Sequence, residues 1–394
     1  MVYGILFRST RIAVYSLLNT LVLPPLTLYI HIPWCVRKCH YCDFNSYPIH
    51  GTLQEDRFIT ALLNDFNSHK LPIKKRVFNS IFIGGGTPSL ISGIGITRLL
   101  TEITARSSFV LSAEITIEVN PGTINIDKLT AYKHAGINRL SIGIQSFNSK
   151  HLQTIGRLHN ADEALQAIAI AKAAGFTNIN LDLMFGLPNQ TVQEAVNDIE
   201  QAINLHPQHI SWYQLTLEPG TAFAKNPPLL PSETLLWKMH RQGQKLLARH
   251  NFIQYEVSAY ARNDMRCQHN LNYWQFGDYL GIGPGAHSKI TNVYGQITRV
   301  DKANNPEIYL TNSTSYNIHI LSANDLIAEF MLNAMRLRNG FTLSLFEQRT
   351  GLKRSIIASA LNAARIKNLI VINNDYVCTT ALGYRFLNQL LLEF

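Results

Sequence analysis

Three cysteines, Cys35, Cys39 and Cys42, crowd one short stretch, His31-Ile-Pro-Trp-Cys-Val-Arg-Lys-Cys-His-Tyr-Cys-Asp-Phe44, with the spacing C-x3-C-x2-C. Three thiolates can hold three irons of a [4Fe–4S] cluster and leave the fourth corner open. An open iron can bind and reduce a small molecule, whereas a fully ligated cluster only carries electrons. A structural zinc site needs four ligands, and no second cysteine pair follows here. The four-cysteine spacings of ferredoxins are absent as well. Taken alone, the spacing leaves a free-thiol loop and half of a zinc site open as readings.

The elements around these residues narrow the choice. Residues 28–32, Leu-Tyr-Ile-His-Ile, predict a short apolar strand that stops at Pro33. The cysteines then fall on a loop at a strand's C-terminal end, where α/β proteins place their chemistry. Apolar runs rich in β-branched residues at 80–83, 114–119, 139–144, 178–183 and 210–215 predict further strands. Helical patterning occupies 55–66, 97–105, 126–134, 161–174 and 192–205 between them, with Gly136 and Gly175 just past two helix ends. Strand–helix units in series mean a parallel sheet with right-handed crossovers, and six such units are too few for a closed eight-strand barrel. The alternative, a doubly wound open sheet, offers no reason for polar residues at successive strand ends.

The cysteine frame, together with Tyr-Ile-His-Ile-Pro-Trp-Cys and Cys-Asp-Phe, resembles the radical S-adenosylmethionine (SAM) superfamily, in the branch related to oxygen-independent coproporphyrinogen III oxidase. The resemblance spans residues 26 to 394 and is loosest after residue 300. It implies an α/β fold: an open (β/α)6 partial TIM-type barrel, then a smaller α/β region and a winged-helix-like C-terminal domain. The expected boundaries are an N-terminal extension at 1–26, the barrel at 27–225, a linker helix and haem-binding region at 226–300, and the C-terminal domain at 301–394. A helix is expected at 232–250, opened by a Ser/Glu cap. A hairpin is expected from 369–373 and 376–379, turned at Asn374-Asp375.

Five polar clusters sit at strand ends and could serve one ligand. Gly84-Gly-Gly-Thr-Pro88 frees several backbone groups for close approach. Glu118, Gln145, Arg157 and Asp182 follow on successive units as acid, amide, guanidinium and acid. A ligand with an ammonium, a carboxylate and ribose hydroxyls calls for that set. Each residue taken singly is read more readily as a structural cap. By resemblance, SAM contacts fall on Tyr29, Gly85, Gly86, Thr87, Glu118, Gln145, Arg157 and Asp182, and the cluster on Cys35, Cys39 and Cys42. The resemblance also implies that one electron from the reduced cluster breaks a C–S bond of SAM to give a 5′-deoxyadenosyl radical. The protein supplies orientation and exclusion of water.

Two features divide enzyme from chaperone. The decarboxylating relatives carry a fourth cysteine two residues after the third, and this chain has Phe44 there. The sister branch with Cys-Asp-Phe is that of haem chaperones, which deliver haem to acceptors such as respiratory cytochromes. In Gln268-His-Asn-Leu-Asn-Tyr-Trp274 the residues His269, Asn270, Tyr273 and Trp274 match that branch's haem-binding motif. A neutral imidazole suits haem iron, and aromatic side chains offer flat apolar area to the macrocycle. The bare tetrad also fits a hydrogen-bonded core histidine beside packed aromatics. Cys267 reads as a buried inert thiol. Gly281 and Gly283 read as points of close backbone packing, and His287 as structural, with a place on the haem or SAM side as the alternative. The expectation is a haem chaperone with no catalytic residue assigned, the alternative being oxygen-independent coproporphyrinogen III dehydrogenase.

Bulk composition is compatible with both. Hydrophobic residues make up 46% and charged residues 15%, the balance of a globular chain rather than a disordered one. Five cysteines, three of them clustered, argue against a disulfide framework and for a reducing, cytoplasmic setting. Lys plus Arg exceeds Asp plus Glu by nine (35 − 26), without a block of like charge. Residues 301–394 carry nine basic and seven acidic residues, too small an excess for a nucleic-acid-binding winged helix, so no nucleic acid is expected. The apolar run at 12–23 is too short to span a bilayer, and Pro24-Pro25-Leu26 offers no cleavage site. A start codon placed too far upstream is the first explanation of that run, and a peripheral contact at the inner face of a membrane the second. A homodimer fits the branch, although no self-complementary surface is legible.

Overall fold

The computed structural model describes residues 23–69, 73, 75–262 and 264–394. The N-terminal extension up to residue 22 lies outside them, and with it the expectations attached to it. Six parallel strands form the centre: β1 (Leu26–Ile32), β2 (Val77–Gly85), β3 (Ser108–Val119), β4 (Arg139–Gln145), β5 (Ile179–Phe185) and β6 (His209–Gln214), each paired with the next. The crossovers are α1 (Glu55–Ser68), α2 (Gly93–Thr104), α3 (Ile126–His134), α4 (Ala161–Ala173) and α5 (Val192–Asn204). Asn160 with Glu163 and Thr191 with Glu194 form capping boxes that fix where α4 and α5 begin. Helix α6 (Glu233–Arg249) starts where expected, but the Ser232 side chain makes no capping hydrogen bond.

The sheet is wider than the sequence predicts. Beyond β6 lie β7 (Ile253–Gln254) and β8 (Ala259–Ala261). Beyond β1 lie β9 (Asp278–Ile282), β10 (His287–Thr291), β11 (Ile297–Asp301) and β12 (Asn317–Ile320). The order of the twelve strands is β12-β11-β10-β9-β1-β2-β3-β4-β5-β6-β8-β7, and the sheet does not close. Strand β9 pairs parallel to β1, from Leu26–Asp278 to Ile30–Ile282, as a seventh parallel strand. Gly281 and Gly283 are the close-packing points that makes possible. A Cβ on Gly281 would stand 2.1 Å from the His287 carbonyl oxygen, and one on Gly283 2.4 Å from that of His31.

The strand alternation sorts side chains to two faces. Leu28, Ile30 and Ile32 of β1, with Ile81, Ile83, Ile117, Leu140, Ile142 and Leu181, pack under the helices as one apolar core. Burying each contributes about 1.5–3 kcal/mol, so these rows hold the barrel together and the other face is left for chemistry. That inner face is polar, with Ser80, Glu114, Arg139, Asn180 and His209 near its lower end, all buried. A short helix, α7 (Gln268–Trp274), closes this end. The Glu114 carboxylate accepts from the backbone N–H groups of Gln268 (3.0 Å) and His269 (3.2 Å), filling the open donors at the helix start. Asn272 Nδ2 donates to the Asp278 carbonyl at 2.8 Å, which binds the helix to β9.

Asp278 anchors the added strands. Its fully buried carboxylate accepts from Arg76 at 2.7 Å, from Lys289 at 2.9 Å, and from the N–H and Oγ1 of Thr291, each at 2.9 Å. Burial opposes the charge, but Lys289 and Arg76 outweigh it and hold the carboxyl below its ordinary range. Asp278→Asn strands two buried cations, so stability falls by about 3–5 kcal/mol. Urea denaturation checks this, and a loss under about 1 kcal/mol would contradict the anchoring role.

The C-terminal unit has its own apolar cluster around Phe330, whose ring meets Phe276, Phe341 and Phe346 edge-on. Helices α8 (Ala323–Ala334), α9 (Leu343–Thr350) and α10 (Ala358–Ile366) surround a sheet of β13 (Phe341–Thr342), β14 (Ile370–Asn373) and β15 (Tyr376–Thr379), ordered β13-β15-β14. This is the winged-helix-like arrangement expected, with the hairpin turned at Asn374. Among the described residues no helix is long and apolar enough to cross a membrane.

Candidate functional site

The cysteine loop leaves β1 at Pro33 and is held by its backbone. Trp34–Cys35 pairs with Tyr47–Pro48, Ile49 N–H donates to the Cys35 carbonyl at 2.9 Å, and Thr87 N–H to that of Trp34 at 2.7 Å. The Trp34 ring anchors the loop edge-on against Phe58. All three motif cysteines are free thiols on the wall of one cavity of about 720 Å3, at the C-terminal ends of the strands. Burial pushes the Cys35 and Cys42 thiols up, and the neighbouring motif cysteines add to the shift. Iron must therefore displace protons there, and the Arg157 guanidinium stands 3.8 Å from Cys39 Sγ. Among the described residues no three Cys, His, Asp or Glu side chains converge as on a single ion. Three thiols on the wall of one cavity suit a cluster, in which each takes a different iron. The donor set therefore fits a [4Fe–4S] cluster with one open corner.

Seven of the eight residues expected at SAM line the same cavity: Gly85, Gly86, Thr87, Glu118, Gln145, Arg157 and Asp182. Gly85 has φ +115°, and a Cβ there would lie 2.6 Å from the His31 ring. Its N–H donates to Glu118 Oε2 at 3.1 Å. Thr87 Oγ1 accepts from Asn120 Nδ2 at 2.9 Å. Gln145 takes φ +70°, a costly conformation for a residue with a side chain, where the β4–β5 register shifts. Its Oε1 accepts from the Tyr213 hydroxyl at 2.6 Å. Arg157 donates to Asn120 Oδ1 (2.7 Å) and to the Gly143 carbonyl (2.6 Å). Asp182 accepts from Ser141 at 3.0 Å and Asn180 at 2.8 Å, and burial pushes its carboxyl up. Tyr29 lies apart: it lines a second cavity of about 340 Å3, which shares Phe44, Gly85 and Glu118 with the first.

Sequence reasoning passed over Asn120, Tyr41 and Tyr213, which also line the larger cavity. Asn120 stood in the same segment as Glu118, and Tyr213 occupies an inward position of β6, so the alternation was the available signal.

Burial, then the Asp182 charge, pushes the Glu118 carboxyl up to about 8, so it is mostly protonated at neutral pH. A cationic ligand such as SAM favours the ionised form, and binding then releases a proton below that pH. SAM affinity is expected to rise by up to about tenfold per pH unit towards 8 and level off above it. In the ligand-free protein the sign reverses: the unfolded chain has already lost this proton, so raising the pH through that range lowers stability. Calorimetric titration of SAM at stepped pH checks the first statement, and Glu118→Gln should flatten the profile.

The four haem-motif residues share α7 but do not face one space. His269 is 1% exposed, with Nδ1 at 2.9 Å from Ser80 Oγ and Nε2 at 3.2 Å from the Tyr273 hydroxyl. Burial, then the Arg139 charge, lowers its imidazole to about 3, so it is neutral. Tyr273 lines the smaller cavity and Trp274 the larger, where the Arg336 guanidinium stands 4.4 Å from the Trp274 ring. Asn270 is half-buried, and the amide tied into the barrel is that of Asn272. Cys267 is buried, which pushes its thiol up to about 12, as suits an inert residue. His287 is exposed and lines the smaller cavity.

An open α/β barrel with three cysteines on the loop after its first strand defines a radical SAM protein. The family described as "Radical SAM superfamily" matches residues 29–202, and that described as "HemN C-terminal domain" matches 321–386. The chain is 49% identical to "Heme chaperone HemW" of Haemophilus influenzae, over 94% of this chain and 98% of that one. It is 45% identical to "Heme chaperone HemW" of Escherichia coli, over the same shares. Among solved structures, coproporphyrinogen III oxidase (HemN) from Escherichia coli superposes with a TM-score of 0.80 at 22% identity, over 96% of this chain and 92% of that one, a likeness of fold. The chain belongs to the HemW family of the radical SAM superfamily.

Proposed function

We infer that this protein is a haem chaperone. In this reading Cys35, Cys39 and Cys42 hold a [4Fe–4S] cluster at the head of the larger cavity. Gly85, Gly86, Thr87, Glu118, Gln145, Arg157 and Asp182 seat SAM beside it, with Tyr29 contributing from the far side of Gly85 and Glu118. The bound cluster would supply an electron and an open iron. The protein's own groups orient the ligand through Arg157 and the strand-end carboxyls, and keep water from it. Haem docks beside α7: Tyr273 lines the smaller cavity with His269 bonded to its hydroxyl from beneath, while Trp274 lines the larger cavity and Asn270 stands half-buried on the same helix. The observation that carries this reading is the identity of 45–49% with proteins named haem chaperones along 94% of the chain. Phe44 at the position of the decarboxylases' extra cysteine supports it.

The acceptors we propose are haemoproteins of the respiratory chain, reached from the cytoplasm at the inner face of the membrane. The test is haem titration of protein with and without its cluster, followed by transfer to an apo-cytochrome. One haem per chain and transfer to the acceptor are expected. Conversion of coproporphyrinogen III to protoporphyrinogen, given SAM and a reductant, would overturn the reading in favour of the dehydrogenase.

A further inference from the structure

We propose that the smaller cavity is the haem pocket of the folded protein, and that His287, which lines it together with Tyr273, supplies the iron ligand. The proposal rests on the haem-binding reading above and deepens it.

Three imidazoles surround the aromatic wall of this cavity, and the structure distinguishes them. His269 is buried beneath it and engaged at both ring nitrogens, by Ser80 and by Tyr273. To reach iron it would have to break both contacts and draw α7 off the Glu114 carboxylate. His31 is engaged as completely, with Nδ1 at 2.9 Å from the Tyr29 hydroxyl and Nε2 at 2.8 Å from the Asn45 carbonyl. His287 is exposed, and among the described residues neither of its ring nitrogens has a hydrogen-bond partner. It is the imidazole whose lone pair can reach a metal without any rearrangement.

The surroundings suit a flat apolar ligand. Tyr273 and Tyr279 meet edge-on with centroids 4.4 Å apart, and Tyr29 completes the aromatic side. Phe44 stands 56% exposed at the boundary with the cysteine cavity. An exposed Phe on a loop otherwise tied down by hydrogen bonds is a surface awaiting a partner, and a porphyrin face is such a partner. The position of His287 is fixed as well: the carbonyl of Pro284, just before it, accepts from Asn45 Nδ2 at 3.0 Å, and Gly285 N–H donates to the Ala303 carbonyl at 2.9 Å. A cavity of about 340 Å3 is at the small end for ligand pockets, so it takes one edge of the macrocycle and leaves the rest outside. Partial burial suits a cargo that has to leave again.

The experiment compares haem-titrated wild type, His287→Ala and His269→Ala, each carrying its cluster, by optical and electron paramagnetic resonance spectra. His287→Ala should lose the imidazole-ligated signature and bind haem at least about tenfold more weakly, and added imidazole should restore the spectrum. His269→Ala should keep the signature, because its part is to position Tyr273. If the alanine variant fails to hold its cluster, His287→Gln replaces it, with the same loss expected. An unchanged spectrum and affinity in the His287 variants would overturn the proposal while leaving haem binding intact. Loss of the signature in His269→Ala alone would also overturn it, by showing that α7 withdraws. Wild type that binds no haem would overturn the chaperone reading and this inference together.

Discussion

Changing Cys35, Cys39 and Cys42 together to alanine is expected to abolish iron and labile sulfide in anaerobically reconstituted protein, and with them the broad brown absorbance. The loss should be complete, because among the described residues the two other cysteines stand elsewhere, Cys267 buried at the barrel floor and Cys378 on β15. It should also be a loss of metal and not of fold. The loop is shaped by backbone hydrogen bonds among Pro33, Cys35, Tyr47, Ile49 and Thr87, and by Trp34 against Phe58, none of which needs a sulfur. Far-ultraviolet circular dichroism and the urea midpoint should therefore stay near wild type. Brown absorbance surviving in the triple variant would refute the assignment of the ligands.

Arg157→Leu is expected to weaken SAM binding by about a hundredfold with the cluster retained, the scale seen when one partner of a buried charged pair is removed. The guanidinium sits between the thiol of Cys39 and the strand-end groups of Asn120 and Gly143, and two of its contacts are 2.7 Å or shorter. Its position is therefore set before a carboxylate arrives, and little ordering entropy remains to be lost on binding. Equilibrium dialysis with labelled SAM measures the change, with iron content as the control. A shift below about threefold would return Arg157 to a purely structural part.

Much of the barrel was legible because its signals are local. β-branched runs, capped helices and the glycines after them each declare an element within a few residues, and the cysteine spacing and Gly84-Gly-Gly-Thr-Pro88 are local as well. What escaped depends on partners far along the chain. In Asp278–Ile282 the sequence marks only Gly281, as a point of close packing, yet the segment becomes a parallel strand because β1 offers an unpaired edge. Glu114 reads as the first residue of a strand, and its use as an acceptor for Gln268 and His269 depends on where α7 lands. His269 was recognisable as one of a motif, but nothing in a tetrad says that its ring will lie beneath the cavity and not within it. His287 carried no motif at all. Its exposure follows from the turn at Gly283–Pro284–Gly285 and from Asn45, residues that periodicity does not connect.

The plug at the bottom of the barrel decides the traffic. With α7 fastened to Glu114 and Asn272 fastened to Asp278, the lower aperture is sealed, and visitors arrive from the upper rim. Two compartments there share a partition made by Phe44, Gly85 and Glu118. A guest on one side would touch the same three residues as a guest on the other, so whatever fills one compartment forms part of the wall that a second visitor meets.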